Sequence, residues 1–217
     1  MNLFLVPAFV PLLLMLAAPV PAAEDLTIPL FNGKDLSGWT FYLEDPAARP
    51  EATWSVVNGV LRCSGKPNGY IKTRQAFRNY RLVVEWRWPE AAGNSGVLLH
   101  INGPDKIWPY CIEAQLYSGH AGDFWFMAGS KGRTEPGRVN PESDMNTRKL
   151  VAAENPPGEW NRYEIISLEG AIVLEINGRL VNWALDAQPT EGFIGFQSEG
   201  APIEFRRIEL TPISVGR

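Results

Sequence analysis

Two Asn-Gly pairs, Asn58-Gly59 and Asn177-Gly178, stand between runs in which apolar and polar residues alternate. An Asn-Gly pair favours the two-residue turn of a β-hairpin, because both residues tolerate the positive φ angles that this turn needs. The alternation on either side has the period of two that places successive side chains on opposite faces of a strand. The sequence therefore predicts antiparallel hairpins over residues 54–63 and 171–183.

The same alternation recurs along most of the chain and predicts ten to twelve strands. Residues 80–88 are the clearest example, with Leu82, Val84 and Trp86 facing one way and charged side chains the other. No helical pattern exceeds two turns, and 20 Gly, 18 Pro and 8 Trp suit a fold rich in turns and buried aromatic side chains. We predict an all-β fold, a two-sheet antiparallel β-sandwich of jelly-roll type with polar residues on the concave outer face of one sheet.

The N-terminus carries an apolar run over residues 3–18, followed by small residues and then Glu24-Asp25. This pattern predicts a signal peptide over residues 1–23, export to the periplasm or the exterior, and no membrane association after cleavage. An uncleaved anchor is the alternative. The remaining residues, 24–217, have the length of a single domain.

Net charge bears on the expected binding partners, and the two cysteines bear on disulfide bonding. The net charge is −4 and no basic run is present, so nucleic acid is not an expected partner. Cys63 and Cys111 would either form a disulfide in an oxidising compartment or remain two separate buried thiols. The sequence does not indicate an oligomeric state.

Residues 108–125 predict one wall of a binding site. In the first half, Glu113, Gln115 and Tyr117 share one strand face, while the opposite face is apolar. A carboxylate, an amide and a phenol in one row are suited to binding sugar hydroxyls. The second half is a glycine-containing loop with His120, which we expect at the edge of a cleft.

A strand over residues 97–102 would place His100 beside Glu113 if it pairs with the strand that carries Glu113. A carboxylate and an imidazole in contact can act as base and acid near neutral pH. The amides of Gln115 and Asn94 can hold hydroxyl groups or stabilise an oxyanion. The alternatives are a polar outer face without function and a histidine that makes only structural hydrogen bonds.

Aromatic residues and a long segment complete the predicted cleft. Trp108, Tyr117 and Trp125 are candidates to stack on sugar rings. Residues 129–158 are rich in Gly, Pro and mixed charge and predict a long loop, which is either a surface excursion or a rim over the cleft. A rim would offer three basic residues, namely Lys131, Arg133 and Arg138.

The sequence contains no clear metal site and no clear pair of catalytic carboxylates on one strand. Asp105, Asp123 and Asp144 could join a calcium site, but no dense loop of oxygen ligands is present, so we expect no metal or cofactor to be required and keep a divalent cation as the alternative. Jelly-roll endoglucanases carry two acidic residues on one strand. Here Gln115 follows Glu113, so the paired-carboxylate mechanism has no obvious pair.

Seven segments in order along the chain resemble the 3-keto-disaccharide hydrolase family (DUF1080). They include Gly-Asn-Ser-Gly-Val at 93–97 and Ile-Glu-Ala-Gln-Leu at 112–116. The other segments are 30–39, 54–61, 80–87, 158–161 and 192–197. The resemblance implies a concanavalin-like jelly roll, export in bacteria, and cleavage of glycosides whose glucose ring is oxidised at C3. A C3 ketone acidifies the C2 proton, so proton abstraction, β-elimination and hydration give net hydrolysis.

The resemblance also implies roles for single residues. Glu113 or His100 would be the base and the other the acid, although the family often has Arg at the position of His100. Ligands of the ketone or the hydroxyls would come from Gln115, Asn94 and Arg87. Where the family often has Gln-x-His-Gly, this chain has Gln197-Ser-Glu-Gly200, which leaves Glu199 in place of the histidine.

Two other functions stay open on the sequence. A non-catalytic carbohydrate-binding jelly roll would show the same aromatic-lined cleft, and a glycosidase could act on unmodified sugars. The binding module would tolerate Glu113→Gln with a modest loss of affinity, whereas the enzyme would lose turnover.

Overall fold

The structure, a computed structural model, describes residues 26–215. The segment predicted to be the signal peptide, residues 1–23, lies outside these residues. The described strands and the one short α-helix follow in chain order: β1 (Ile28–Pro29), β2 (Trp39–Leu43), α1 (Pro50–Thr53), β3 (Trp54–Val57), β4 (Val60–Cys63), β5 (Gly69–Thr73), β6 (Tyr80–Arg87), β7 (Gly96–Asn102), β8 (Tyr110–Gln115), β9 (Phe124–Met127), β10 (Lys131–Arg133), β11 (Val139–Asn140), β12 (Ser143–Thr147), β13 (Asn161–Leu168), β14 (Ala171–Ile176), β15 (Arg179–Gln188), β16 (Phe193–Ser198) and β17 (Ile203–Pro212).

The strands form two antiparallel sheets, which confirms the predicted β-sandwich. The nine-stranded sheet has the order β10-β15-β14-β13-β6-β17-β4-β3, and β1 pairs with β17. The eight-stranded sheet has the order β11-β12-β9-β8-β7-β16-β5-β2. Consecutive strands are often not neighbours, because the chain crosses between the sheets, as a jelly roll requires.

The predicted hairpins form at both Asn-Gly pairs. Asn58 and Gly59 have φ angles of 52° and 77° and connect β3 to β4. Asn177 and Gly178 have φ angles of 52° and 76° and connect β14 to β15. Positive φ at both central residues is the geometry that a two-residue hairpin turn needs, and it selects these residue types.

Large aromatic side chains fill the space between the sheets. Trp86 of β6 and Trp54 of β3 are fully buried on the nine-stranded side. Phe196 and Phe205, one from each sheet, have ring centroids 4.8 Å apart. Each such burial contributes about 1.5–3 kcal/mol relative to exposure, so these contacts hold the two sheets together.

Strand β7 has one residue more than β8 between two paired positions, and this β-bulge changes the face to which the side chains at the end of β7 point. Leu99 pairs with Ile112 and Asn102 with Tyr110, so three steps along β7 match two steps along β8. His100 lies in this bulge with a φ angle of 57°. A bulge changes the face to which the following side chains point. His100 therefore faces the core between the sheets, where the sequence predicted the polar face.

His100 makes its contacts with the nine-stranded sheet and is fully buried. The Tyr80 hydroxyl donates to Nε2 of His100 at 3.0 Å, and Nδ1 donates to the carbonyl oxygen of Pro189 at 2.8 Å. Glu113 lies on the opposite face of the eight-stranded sheet. The prediction that His100 and Glu113 form an acid–base pair is therefore wrong, although their strands do pair.

Residues 129–158 are more ordered than the predicted loop. They contain β10, a single 3-10 turn at Pro136–Arg138, β11 and β12. β10 extends the nine-stranded sheet, and β11 and β12 extend the eight-stranded sheet beside β9. The segment is thus part of the scaffold, and its residues 140–148 border the cleft described below.

The two cysteines do not form a disulfide. Cys63 and Cys111 are buried free thiols, one in each sheet. Within residues 26–215, no helix has the length and apolar character to span a bilayer.

Replacing His100 tests its structural role. We expect His100→Ala to lower the free energy of unfolding by about 2–4 kcal/mol at pH 7, because Tyr80 and Pro189 lose their buried partner. Burial lowers the pKa of His100 from 6.5 to about 4. The stability from the neutral imidazole is therefore complete above pH 6.5 and is lost as the pH falls toward 4, so the difference between wild type and variant shrinks over that range. Chemical denaturation at several pH values measures this.

The chain's other described histidine provides the control. His120 is exposed, so His120→Ala should change the free energy of unfolding by less than about 0.5 kcal/mol. Equal stability of the two variants would contradict the assignment of His100 to the core.

Candidate active site

Strand β8 presents the polar residues of the site on the outer face of the eight-stranded sheet. Ile112 and Ala114 point into the core, and Glu113 and Gln115 point outward, as the alternation predicted. Both outward side chains are nevertheless buried, with exposed fractions of 4% and 6%. A cleft therefore covers this face of the strand.

A glycine in the neighbouring strand gives Glu113 its position. Gly96 of β7 pairs with Gln115, and Leu98 pairs with Glu113. A Cβ atom at position 96 would overlap with Oε1 of Glu113. The carboxyl group therefore occupies the space that a side chain at position 96 would fill.

The first hollow of the cleft measures about 360 Å³ and has Glu113 on its lining. Trp108 and Met145 line it as well and are about half exposed, so they form its upper walls. Its remaining lining residues are Asn94, Gln115, Trp125, Met127, Ala128 and Glu199. Polar groups at the base with aromatic and apolar walls are the usual composition of a small-molecule site.

The carboxyl group of Glu113 is strongly perturbed. Burial, with a further contribution from the like charge of Glu199, raises its pKa from 4.5 to about 8. Its Oε1 atom has no hydrogen-bond partner among the residues that the structure describes. A buried carboxyl group without partners is unfavourable for folding and marks a candidate for acid–base chemistry.

Glu199 is the second carboxyl group of the first hollow. It follows β16, and isolated bridges join Asn94 to Glu199 and to Gly200. Burial raises the pKa of Glu199, and a hydrogen bond with Asn94 opposes the shift. Glu113 and Glu199 thus form the acidic pair that no single strand of the sequence contains.

Two further buried amide groups have unpartnered atoms. Gln197 of β16 pairs with Tyr70 of β5, lines neither hollow and is 1% exposed, and neither polar atom of its amide has a partner in the described part of the chain. The Oδ1 atom of Asn94 is also buried without a partner within residues 26–215. Such groups are rare in folded proteins and are typical of sites that bind a polar ligand or water.

Gln115 is held in a single orientation. Its Oε1 accepts hydrogen bonds from the backbone N–H groups of Leu116 and Tyr117, at 2.8 and 2.7 Å. Its Nε2 is therefore the atom available to donate toward the cleft, which suits an oxyanion or a ketone oxygen.

A second hollow, of about 390 Å³, adjoins the first. Asn94, Gln115 and Trp125 line both hollows, so the two are continuous. The loop after β8 contributes Tyr117 and His120, as predicted at the cleft edge. Four other lining residues come from the segment 129–158, which therefore does form a rim of the cleft: Asn140, Glu142, Asn146 and Arg148. The three basic residues predicted for such a rim, Lys131, Arg133 and Arg138, line neither hollow.

Arg87 is not part of the cleft. It lies on the outer face of the nine-stranded sheet, where its guanidinium donates to Glu204 at 2.7 Å and stacks on Trp160 at 4.6 Å. Its predicted role as a substrate ligand is wrong, because β6 belongs to the sheet opposite Glu113.

A metal centre finds no support in the described residues. No three His, Cys, Asp or Glu side chains among residues 26–215 converge as potential ligands. Asp105 instead accepts a hydrogen bond from Tyr70 at 2.6 Å and pairs with Lys72. The expectation that no cofactor is required stays a prediction.

The chain is similar to known proteins in sequence and in fold. A 3-keto-disaccharide hydrolase of Bacteroides thetaiotaomicron is 23% identical over 241 residues, which cover 88% of this chain and 80% of that protein. A crystal structure from Parabacteroides distasonis, provisionally assigned to the glycosyl hydrolases, superposes with a TM-score of 0.66 at 20% identity, covering 91% of this chain and 99% of that one. The carbohydrate-binding module CBM66 of Bacillus subtilis gives a TM-score of 0.55 at 12% identity, covering 79% and 94%.

The two solved structures show that the sandwich fold is shared. The family comparison is more specific, because it matches residues 27–211 to the 3-keto-alpha-glucoside-1,2-lyase-like domain. This match spans nearly all of the described chain, including both sheets and both carboxyl groups of the first hollow. The chain therefore belongs to the family of 3-keto-alpha-glucoside-1,2-lyase-like domains.

Proposed function

We propose that this protein cleaves glycosides whose glucose ring carries a ketone at C3. The observation that carries the proposal is the buried Glu113, which shares the first hollow with Glu199. Family membership supports a glycoside-cleaving role. In this proposal residues 1–23 direct export, and the substrate is met outside the cytoplasm.

The proposed reaction begins at C2 of the oxidised ring. A base removes the C2 proton, and the electron pair of the C–H bond moves toward the ketone to give an enolate. The enolate re-forms the ketone, a C1=C2 double bond forms, and the C1–O1 bond breaks. The leaving oxygen takes a proton and departs as an alcohol. Water then adds its hydroxyl to C1 and its proton to C2, which gives net hydrolysis.

The two carboxyl groups supply the base and the acid. Burial makes the ionised Glu113 a strong base, which matches the weak acidity of a proton next to a ketone. Glu199 is then the acid that protonates the leaving oxygen. Because each negative charge disfavours the other, the pair holds one proton near neutral pH. This proton lies mainly on Glu113 in the resting protein, and the reactive form is the one in which the proton lies on Glu199 and Glu113 is ionised.

The neighbouring side chains position the ring. The Nε2 atom of Gln115 is available to donate to the enolate oxygen, since its Oε1 is held by the backbone. Trp108 and Trp125 offer aromatic surface to the CH face of the sugar. These contacts hold C2 and O1 at the two carboxyl groups.

The proposal predicts the loss of turnover on removal of the base. Glu113→Gln should lower kcat/KM on 3-keto-trehalose by about 10²–10⁴-fold, because the amide cannot accept the C2 proton. Release of 3-ketoglucose or of the glycal measures this. The exposed residue Glu51 provides the control, because Glu51→Gln should retain full activity.

Two results would contradict this part of the account. Wild-type protein that binds plain glycans tightly but turns over no 3-keto substrate is a binding module. Full activity of Glu113→Gln would place the base elsewhere.

The role of Glu199 is tested with a leaving group that needs no proton. Glu199→Gln should lose about 10²-fold or more on 3-keto-trehalose but keep most activity on 4-nitrophenyl 3-keto-glucoside, because nitrophenolate leaves as an anion. Glu113→Gln should lose both activities. Equal losses of Glu199→Gln on the two substrates would argue against its role as the acid.

Glu113→Gln should lose activity but gain stability relative to wild type as the pH rises. The folded-state pKa of Glu113 is raised, so its neutral form favours the folded state below pH 4.5, and this stability is lost as the pH rises to about 8. Gln does not ionise. The free energy of unfolding of Glu113→Gln relative to wild type should therefore rise by on the order of 3 kcal/mol between pH 4 and pH 7.5. Chemical denaturation measures the change, and a pH-independent difference would contradict a buried, perturbed carboxyl group.

A further inference from the structure

We infer that three residues outside both hollows act as a clamp on the loop between β7 and β8, residues 103–109. The residues of the clamp are Tyr70, Lys72 and Asp105, and none of them lines either hollow. The clamp keeps Trp108 of this loop in place as a wall of the first hollow, so its members are positioning residues. The effect on substrate binding rests on the proposed function, whereas the clamp itself does not.

The β7–β8 loop has little backbone support of its own. Residues 103–109 belong to no strand, and within residues 26–215 no backbone hydrogen bond joins them to either sheet. Trp108 is 46% exposed, so packing covers only about half of it. A loop without backbone hydrogen bonds can open locally at little cost in free energy. The position of Trp108 therefore depends on side-chain contacts of the loop.

Asp105 makes these contacts from the first half of the loop. The hydroxyl of Tyr70 donates to Oδ1 of Asp105 at 2.6 Å, and the ammonium group of Lys72 pairs with the same oxygen. Partial burial favours the neutral form of Asp105, but Lys72 and Tyr70 outweigh this effect and lower its pKa. The carboxylate is therefore ionised near neutral pH. Both contacts are charge-assisted, which makes them stronger than neutral hydrogen bonds.

The two partners of Asp105 are themselves fixed in the sheet. Tyr70 and Lys72 are two residues apart on β5, so they point to the same face, the one that carries the cleft. The fully buried Tyr70 belongs to a small apolar cluster with Met127, which lines the first hollow. The Nζ atom of Lys72 lies 5.1 Å from the ring centroid of Phe193. The clamp thus ties the loop to a well-packed part of the sheet beside the hollow.

Limited proteolysis with trypsin tests the clamp without any substrate. Lys106 is exposed and is the single Lys or Arg within residues 103–109. Tyr70→Phe and Lys72→Met weaken the clamp but leave the loop sequence unchanged, and each should speed cleavage after Lys106 about tenfold. Cleavage after the exposed Arg179, in the β14–β15 hairpin of the other sheet, should not change. This reference separates opening of the loop from global unfolding.

A neighbouring tyrosine provides the matched control. The ring of Tyr42 lies 5.6 Å from that of Tyr70, but the hydroxyl that donates to Asp105 belongs to Tyr70. Tyr42→Phe removes a phenol hydroxyl from the same cluster and should leave cleavage after Lys106 unchanged.

A double-mutant cycle with Trp108→Ala tests whether the clamp acts through Trp108. Tyr70→Phe should raise KM for 3-keto-trehalose about fivefold and change kcat less than about twofold, because the loop affects ring binding rather than proton transfer. In the Trp108→Ala background, Tyr70→Phe should have no further effect on KM. Equal effects in the two backgrounds would mean that Tyr70 acts by another route, and would overturn the inference.

The remaining outcomes separate this inference from the proposed function. If wild-type protein turns over no 3-keto substrate, the proposed function fails, and proteolysis still decides whether the clamp exists. If wild type is active but Tyr70→Phe leaves both cleavage after Lys106 and KM unchanged, the clamp alone is overturned. Faster cleavage with an unchanged KM would overturn its role in positioning Trp108. Melting temperatures near that of wild type show that the variants are folded.

Discussion

The carboxyl group of Glu113 occupies the space above Gly96 of the neighbouring strand, and the rest of the site depends on this contact. Any larger residue at position 96 would push the carboxyl group away from the base of the hollow. In its observed place the group is shielded from water, and its pKa rises to about 8 because the charged form is poorly solvated. The fold is thus arranged to hold a carboxyl group where it is unfavourable for stability and useful for proton transfer.

The two sheets have different roles, one in stabilising the fold and one in forming the cleft. The nine-stranded sheet carries ion pairs on its outer face, for example Arg81–Glu164 and Arg87–Glu204, and supplies buried aromatic residues to the core. The outer face of the eight-stranded sheet carries the cleft. His100 connects the two sheets through Tyr80 and Pro189, and the bulge that turns it inward leaves the outer face beside Glu113 to other residues. One histidine therefore supports the scaffold, while the two carboxyl groups perform the proposed chemistry.

Local signals predicted most of the fold. The Asn-Gly turns and the alternation in β6 and β8 specify hairpins and faces from neighbouring residues alone, and both were confirmed. The bulge at His100 could not be predicted in this way, because the residues around it alternate regularly and the reversal is stabilised by Tyr80 from the other sheet.

The site was predicted less completely for the same reason. Glu113 and Gln115 lie on one regular strand, so their shared face was evident. Glu199 approaches them through isolated bridges to Asn94, more than a hundred residues away in sequence, and local periodicity carries no such information. β11 and β12 are short and lack alternation, and they form by pairing next to β9, so their residues in the second hollow were missed.

The central claim is that Glu113 is a buried carboxyl group that holds its proton at neutral pH because of its surroundings. A pH titration of the glutamate carboxyl carbons by ¹³C NMR tests it directly, with Glu113→Gln identifying the signal. We predict a midpoint near pH 8 in wild type and a lower midpoint in Glu199→Gln, still above 4.5, because the like charge is removed while burial remains. A midpoint near 4.5 in wild type, unchanged in Glu199→Gln, would contradict the account.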